Sequence, residues 1–168
     1  TRCLSDWSSD VCSSDLKLRI SVTDRCNFRC VYCMPPGEIS WLPKDEILTF
    51  EEIHRVAAVA ARMGVTKVRL TGGEPLARRG VPRLVAMLVQ IPGVEKVSMT
   101  TNAYYLPEVA WELKQAGLKG LNISLDTLDR RKFIEITRRD YLDKVLEGIE
   151  AAEEAGLGPI KINTVVMR

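Results

Sequence analysis

Between Arg19 and Pro36 the chain carries Cys26, Cys30 and Cys33 in the spacing C-x3-C-x2-C. Three thiolates so close together can converge on one soft-metal centre. They supply one ligand fewer than the four that a structural zinc, or an electron-transfer iron–sulfur cluster, takes from cysteine. One coordination position is therefore open, and an open iron on a cluster can bind and activate a second molecule. The competing readings are a zinc ion completed by the lone His54, or thiols that only pack. His54 lies on a predicted helix far from the cysteines in sequence.

A second set of residues carries charge. Arg19, Lys67, Arg69 and Lys161 fall on predicted strands, at alternate positions that share the polar face. A single strand lysine or arginine is usually a solvated edge charge. Four on inward faces predict a cavity for a polyanion such as a nucleoside triphosphate. Gly72-Gly73-Glu74-Pro75 closes one of these strands, and glycine there lets backbone approach a ligand closely. Arg78-Arg79 and Arg138-Arg139 are ambiguous: charge pairs at loop or helix ends are most often solvated, and these receive no catalytic role.

The elements that must position these residues alternate strictly. Leu18, Ile20 and Val22 alternate with Arg19, Ser21 and Thr23, as a strand requires. Thr49 stands three residues before Glu52 in a capping-box pattern, and Ile53, Val56, Ala57 and Ala60 form the apolar stripe of the helix that follows, ending near Gly64. Strands are predicted over Val65 to Thr71, Val94 to Thr101, Gly120 to Leu125 and Ile160 to Met167. Helices are predicted from Pro82 to Ile91, from Pro107 to Ala116, around Arg130 to Ile136, and from about Tyr141 to Ala155.

Alternating β and α with short connections imply a parallel sheet covered by helices. Each strand has one apolar and one polar face, whereas a strand buried on both sides reads as a continuous apolar run. Five polar faces need a common solvated interior. An open (βα) barrel of TIM type supplies one, with the active site at the rim formed by the C-terminal ends of the strands.

The 168 residues, 46% hydrophobic and 27% charged, are ordinary globular composition for a single core. A net charge of +2 argues for neither a nucleic-acid nor a membrane partner. No apolar run approaches the ~18–20 residues that span a bilayer. Five cysteines, three of them in one loop, fit a reducing cytoplasmic setting better than a disulfide framework. Residues 1–16 repeat Ser-Ser-Asp, have no signal-peptide features and read as a foreign or disordered tail, so Cys3 and Cys12 receive no role; a second metal or redox pair is the rival reading. The domain runs from 17 to 168.

The cysteine spacing, with Tyr32 between the last two, resembles the signature of the radical S-adenosylmethionine (SAM) superfamily. Thr71-Gly72-Gly73-Glu74-Pro75, Ser124-Leu125-Asp126-Thr127-Leu128 and Ile136-Thr137-Arg138-Arg139-Asp140 are similar, within it, to the GTP 3',8-cyclase family of molybdenum-cofactor biosynthesis. The likeness runs from about Leu18 to Arg168. It implies a 4Fe-4S cluster on Cys26, Cys30 and Cys33, SAM contacts at Tyr32, Gly73 and Ser124, and GTP contacts at Arg19, Arg69, Thr100 and Lys161. Lys67 has no such backing and is left out of the site.

The implied chemistry is a lyase reaction. One electron from the cluster cleaves SAM, a 5'-deoxyadenosyl radical takes hydrogen from C3' of GTP, and C3' joins C8 to give 3',8-cyclo-7,8-dihydro-GTP. A reducing electron donor and a homodimer of the full-length protein are expected partners. The family's core has six βα units, followed by a second three-cysteine cluster and a Gly-Gly tail. Those lie beyond the five strands read here, so an N-terminal fragment is expected, with doubtful activity by itself. The alternatives are another radical SAM reaction, such as peptide or cofactor maturation, and a metal-binding module without catalysis.

Overall fold

The computed structural model describes residues 16–35, 37 and 39–167. The tail assignment, with Cys3 and Cys12, lies outside the described residues apart from Leu16. Among the described residues the chain alternates β1 (Lys17–Ser21), α1 (Phe50–Arg62), β2 (Lys67–Thr71), α2 (Val81–Val89), β3 (Lys96–Thr101), α3 (Leu106–Gln115), β4 (Leu121–Ser124), α4 (Arg130–Thr137), α5 (Leu142–Glu154) and β5 (Ile160–Asn163). The sheet order is β1-β2-β3-β4-β5 with every pair parallel. This is the arc of an open βα barrel.

Local chemistry starts α1 as its sequence requires. The Thr49 hydroxyl accepts from the Glu52 N–H at 3.2 Å, and the Glu52 carboxylate accepts from the Thr49 N–H at 2.7 Å. Of the expected stripe, Ile53 and Ala57 are buried but Val56 is 51% exposed, so the buried face is narrower. Between sheet and helices, Val68, Leu70, Val97, Met99, Leu121 and Ile123 pack with Leu84, Leu88, Leu113 and Val145, all within 1% of full burial. Covering that outer face is what leaves the opposite face of each strand free to carry polar groups. Gly148, inside α5, has a packing reason: a Cβ there would meet the Ala103 carbonyl.

β5 is shorter than its apolar run suggests. After Asn163 the chain leaves the ladder: the Thr164 hydroxyl donates to the Leu125 carbonyl at 2.8 Å, and the Val165 N–H to Asp126 Oδ1 at 2.9 Å. Ile162 is 50% and Val166 90% exposed. No helix among the described residues is long and apolar enough to cross a membrane.

Candidate active site

The register puts the polar residues on shared rungs. Lys17 pairs with Lys67 and Lys67 with Lys96; one level up, Arg19 pairs with Arg69 and Arg69 with Ser98; Thr100, Asn122 and Lys161 make another rung. Because side chains alternate across a strand, these all face the concave side. Two cavities open there.

The upper one, about 250 Å³, is lined by Cys26, Cys30 and Cys33 together with Arg19, Tyr32, Gly73, Thr100 and Ser124. The lower, about 180 Å³, is lined by Lys17, Lys67, Arg69, Lys96, Ser98 and Lys161. The four cations expected around one polyanion are thus divided. Arg19 belongs to the cysteine cavity, while Lys67, Arg69 and Lys161 belong to the basic cavity. Lys67, one of the four inward cations though left out of the GTP contacts, lines this cavity, and Lys17 and Lys96, which the sequence reading passed over, complete the basic wall. Arg69 Nε is held toward Ser98 Oγ at 3.4 Å, and Ser98 Oγ donates to the Val68 carbonyl at 3.3 Å.

The cysteine loop is laced to its neighbours on both sides. Toward β2, the Val22 N–H donates to the Thr71 carbonyl at 2.9 Å, the Gly73 N–H to Thr23 at 2.8 Å and the Glu74 N–H to Arg25 at 2.8 Å. A Cβ on Gly73 would meet the Asp24 and Arg25 carbonyls, so glycine is what allows the two loops to lie this close. Toward α4, the Arg29 N–H donates to Thr137 at 3.0 Å, the Val31 N–H to Ile136 at 2.9 Å, and Arg139 Nε to the Asn27 carbonyl at 3.1 Å. Underneath, Phe28 is buried against Phe133, edge to face at 5.7 Å. Arg139 is therefore not a solvated charge: it ties the α4–α5 corner to the cysteine loop. The Thr-Arg-Arg-Asp stretch was visible in the sequence, but nothing local told which backbone its arginine would reach.

Within the loop, the Cys33 and Met34 N–H groups donate to the Cys30 carbonyl at 3.0 and 2.9 Å, a tight turn that brings Cys30 and Cys33 to the same cavity. The Phe28 N–H lies 3.4 Å from Cys26 Sγ. Burial pushes the Cys26 thiol up to about 11, reinforced by Glu74 and the other two cysteines and opposed by the Phe28 N–H. Burial also raises Cys30, against the pull of a hydrogen bond with Tyr32. Without a cationic centre these sulfurs hold their protons at neutral pH, and binding a metal must release them. Among the described residues no three His, Cys, Asp or Glu side chains are gathered closely enough to share a single ion. His54 is not among the residues lining the cysteine cavity.

Two further carboxylates brace the rim. Glu74 is 1% exposed and accepts from Thr101 Oγ1 at 2.7 Å, the Asn102 N–H at 2.7 Å and the Leu76 N–H at 3.0 Å, joining the ends of β2 and β3. Burial nevertheless pushes its carboxyl up to about 7, against those three donors. Asp126, after β4, accepts from the Tyr32 hydroxyl at 2.6 Å, which straps the cysteine loop across the mouth of the cavity. Burial, and after it that bond, raise the Tyr32 hydroxyl well above its usual range.

The sequence model of the radical SAM superfamily matches residues 20–168. The chain is 51% identical over 151 residues to a GTP 3',8-cyclase of Petrotoga mobilis, covering 90% of this chain and 47% of the relative. It is 54% identical over 151 residues to a GTP 3',8-cyclase of Pelotomaculum thermopropionicum, covering 90% and 46%. It thus spans about half the length of the curated relatives it matches. In fold it is similar to Streptococcus suis SuiB, solved with S-adenosylmethionine, with a TM-score of 0.70 at 22% identity over 89% of this chain and 32% of that one.

Proposed function

Since the chain belongs to the radical SAM superfamily, we propose that it forms the cluster-bearing barrel of a GTP 3',8-cyclase, with residues 17–168 as the domain and the tail before it playing no part. The observation that carries this reading is the stacking of a three-thiol cavity directly above a wall of cations inside one barrel. The cyclase names of relatives about half identical support it.

The thiols fit a 4Fe-4S cluster. Cys26, Cys30 and Cys33 reach one cavity, burial raises Cys26 and Cys30, and Cys26 receives a backbone N–H, so a cationic group with separate irons relieves the penalty of ionising those two buried thiols. Such a cluster, with SAM on its open iron, supplies hydrogen abstraction by a carbon radical. The chain's own residues bind and orient. The Gly73 N–H is already given to Thr23, so its carbonyl is what remains to accept from the ammonium group of SAM. The Tyr32 hydroxyl is given to Asp126, so the tyrosine offers its ring. Ser124 contributes its hydroxyl from the end of β4.

Arg69 and Lys161 hold the triphosphate in the basic cavity, while Arg19 and Thr100, on the cysteine side, direct the ribose of GTP toward the site of abstraction. The electron comes from a separate reducing donor, and the full-length protein works as a homodimer. Mass spectrometry of 5'-deoxyadenosine, after turnover with GTP deuterated at C3', tests the assignment. Deuterium in the product, together with 3',8-cyclo-7,8-dihydro-GTP, is expected. Deoxyadenosine without deuterium would move the assignment to another substrate.

A further inference from the structure

A third concavity, of about 580 Å³, is lined by Thr23, Arg25, Lys44, Ile47, Ala77, Arg78 and Arg79 and shares no lining residue with the other two. Four of its seven lining residues are cations and none is acidic, on a chain whose net charge is only +2. Arg78 is anchored: it donates to the Val22 and Leu48 carbonyls at 2.8 Å each and stacks over Phe50 at 4.3 Å. Arg25, Lys44 and Arg79 are exposed. Of the nearby carboxylates, Glu51 is engaged by Arg83 at 2.6 Å, and Asp24, beside Arg25, accepts from the Leu42 N–H at 2.7 Å and does not line the concavity. Asp45 and Glu46 follow Lys44 in its turn but do not line the concavity. Nothing in the site described above uses these charges.

We propose that this face docks an acidic protein that donates one electron at a time to the cluster. The inference rests on the cluster assignment of the preceding section. Arg25 directly precedes Cys26, so a partner seated on Arg25 stands one residue, about 3.8 Å of backbone, from a cluster ligand. Because the concavity shares no lining residue with the substrate cavities, a partner seated there leaves their walls uncovered. Exposed cations around a fixed central arginine suit a brief, charge-steered encounter, the mode of weak electron-transfer complexes with small interfaces. The step balances simply: the partner's reduced centre loses one electron, the cluster passes from the 2+ to the 1+ state, and no bond forms or breaks.

The test follows bleaching of the cluster absorbance by stopped flow in cluster-loaded protein. A reduced flavodoxin of low isoelectric point is compared with dithionite, for wild type and for Lys44→Glu, Arg79→Glu and, as a remote control, Lys119→Glu. Electrostatic steering changes association rates by about 10–10³-fold. Each of the two face variants should therefore slow reduction by flavodoxin about tenfold, with dithionite and the control unchanged, and the wild-type rate should fall steeply with salt. Equal slowing with both reductants, or none with flavodoxin, overturns the proposal. Anisotropy of labelled flavodoxin with the cluster-free protein gives a second readout: binding lost in the face variants supports docking, and binding retained in them refutes it. Displacement of bound flavodoxin by millimolar inorganic phosphate alone would make the concavity a small-anion site and also refute it. Iron content, measured separately, reports failure of the cluster assignment itself.

Discussion

Replacing Arg69 by alanine isolates the basic cavity from the cysteine cavity. Arg69 is half-buried in the lower wall, while every residue proposed for SAM lines the upper cavity. A charge-assisted hydrogen bond to phosphate contributes roughly 1.5–3 kcal/mol. At 1.4 kcal/mol per tenfold, that is a loss of about 10- to 150-fold in GTP affinity. Partial exposure of Arg69 places the expectation near the lower end. Among the described residues its side chain is tied to the fold by the long 3.4 Å contact with Ser98, so folding should survive. Anaerobic titration calorimetry of GTP, guanosine and SAM into wild type and Arg69→Ala reads the effect. GTP should bind wild type much more tightly than guanosine does, the preference should shrink with salt, and SAM binding should be unchanged in the variant. Equal affinities for guanosine and GTP, or loss of SAM binding alone, would refute the division of the barrel into two ligand sites.

Arg139→Ala removes the bond to the Asn27 carbonyl; at roughly 1 kcal/mol for one hydrogen bond, a chelator should strip iron from the loop about fivefold faster, and an unchanged rate would show that the α4–α5 corner does not hold the loop. Glu74, whose carboxyl is raised from 4.5 to about 7, binds its proton more tightly folded than unfolded. Stability should therefore fall, by up to roughly 3 kcal/mol, as pH rises from about 4.5 to 7, and urea unfolding of Glu74→Gln should lack that slope; the same slope in both would contradict burial as the dominant cause. Gly148→Ala, favourable for an isolated helix by about 1 kcal/mol, should instead destabilise by about 1–3 kcal/mol because the new methyl meets the Ala103 carbonyl; a higher denaturation midpoint would sink that account.

What could be read from the sequence was what depends on near neighbours. The alternation of Leu18, Ile20 and Val22 with Arg19, Ser21 and Thr23 assigned faces before any fold was known, and the Thr49–Glu52 box marked the start of α1 at its actual N-cap. The ends of β2 and β3 were placed within a residue or two, as is usual where helices and strands fray. What was lost depends on contacts distant in sequence. Register decides that Lys17, Lys67 and Lys96 share a rung below Arg19 and Arg69, and register is set by pairing that no single strand encodes. Arg139 reaches a carbonyl 112 positions away, so its pair with Arg138 stayed ambiguous in the sequence. Thr164 and Val165 leave the β5 ladder because Leu125 and Asp126 offer better partners, although the apolar run itself looked like continuing strand.

The central claim is that Cys26, Cys30 and Cys33 hold a cluster with one iron left for SAM, and electron paramagnetic resonance of the reduced, cluster-loaded protein addresses it without requiring turnover. The signal of a reduced 4Fe-4S cluster should appear, should be lost in Cys26→Ser, Cys30→Ser or Cys33→Ser, and should change shape when SAM is added. A cluster spectrum indifferent to SAM would contradict the claim and make the three-cysteine loop a structural metal site.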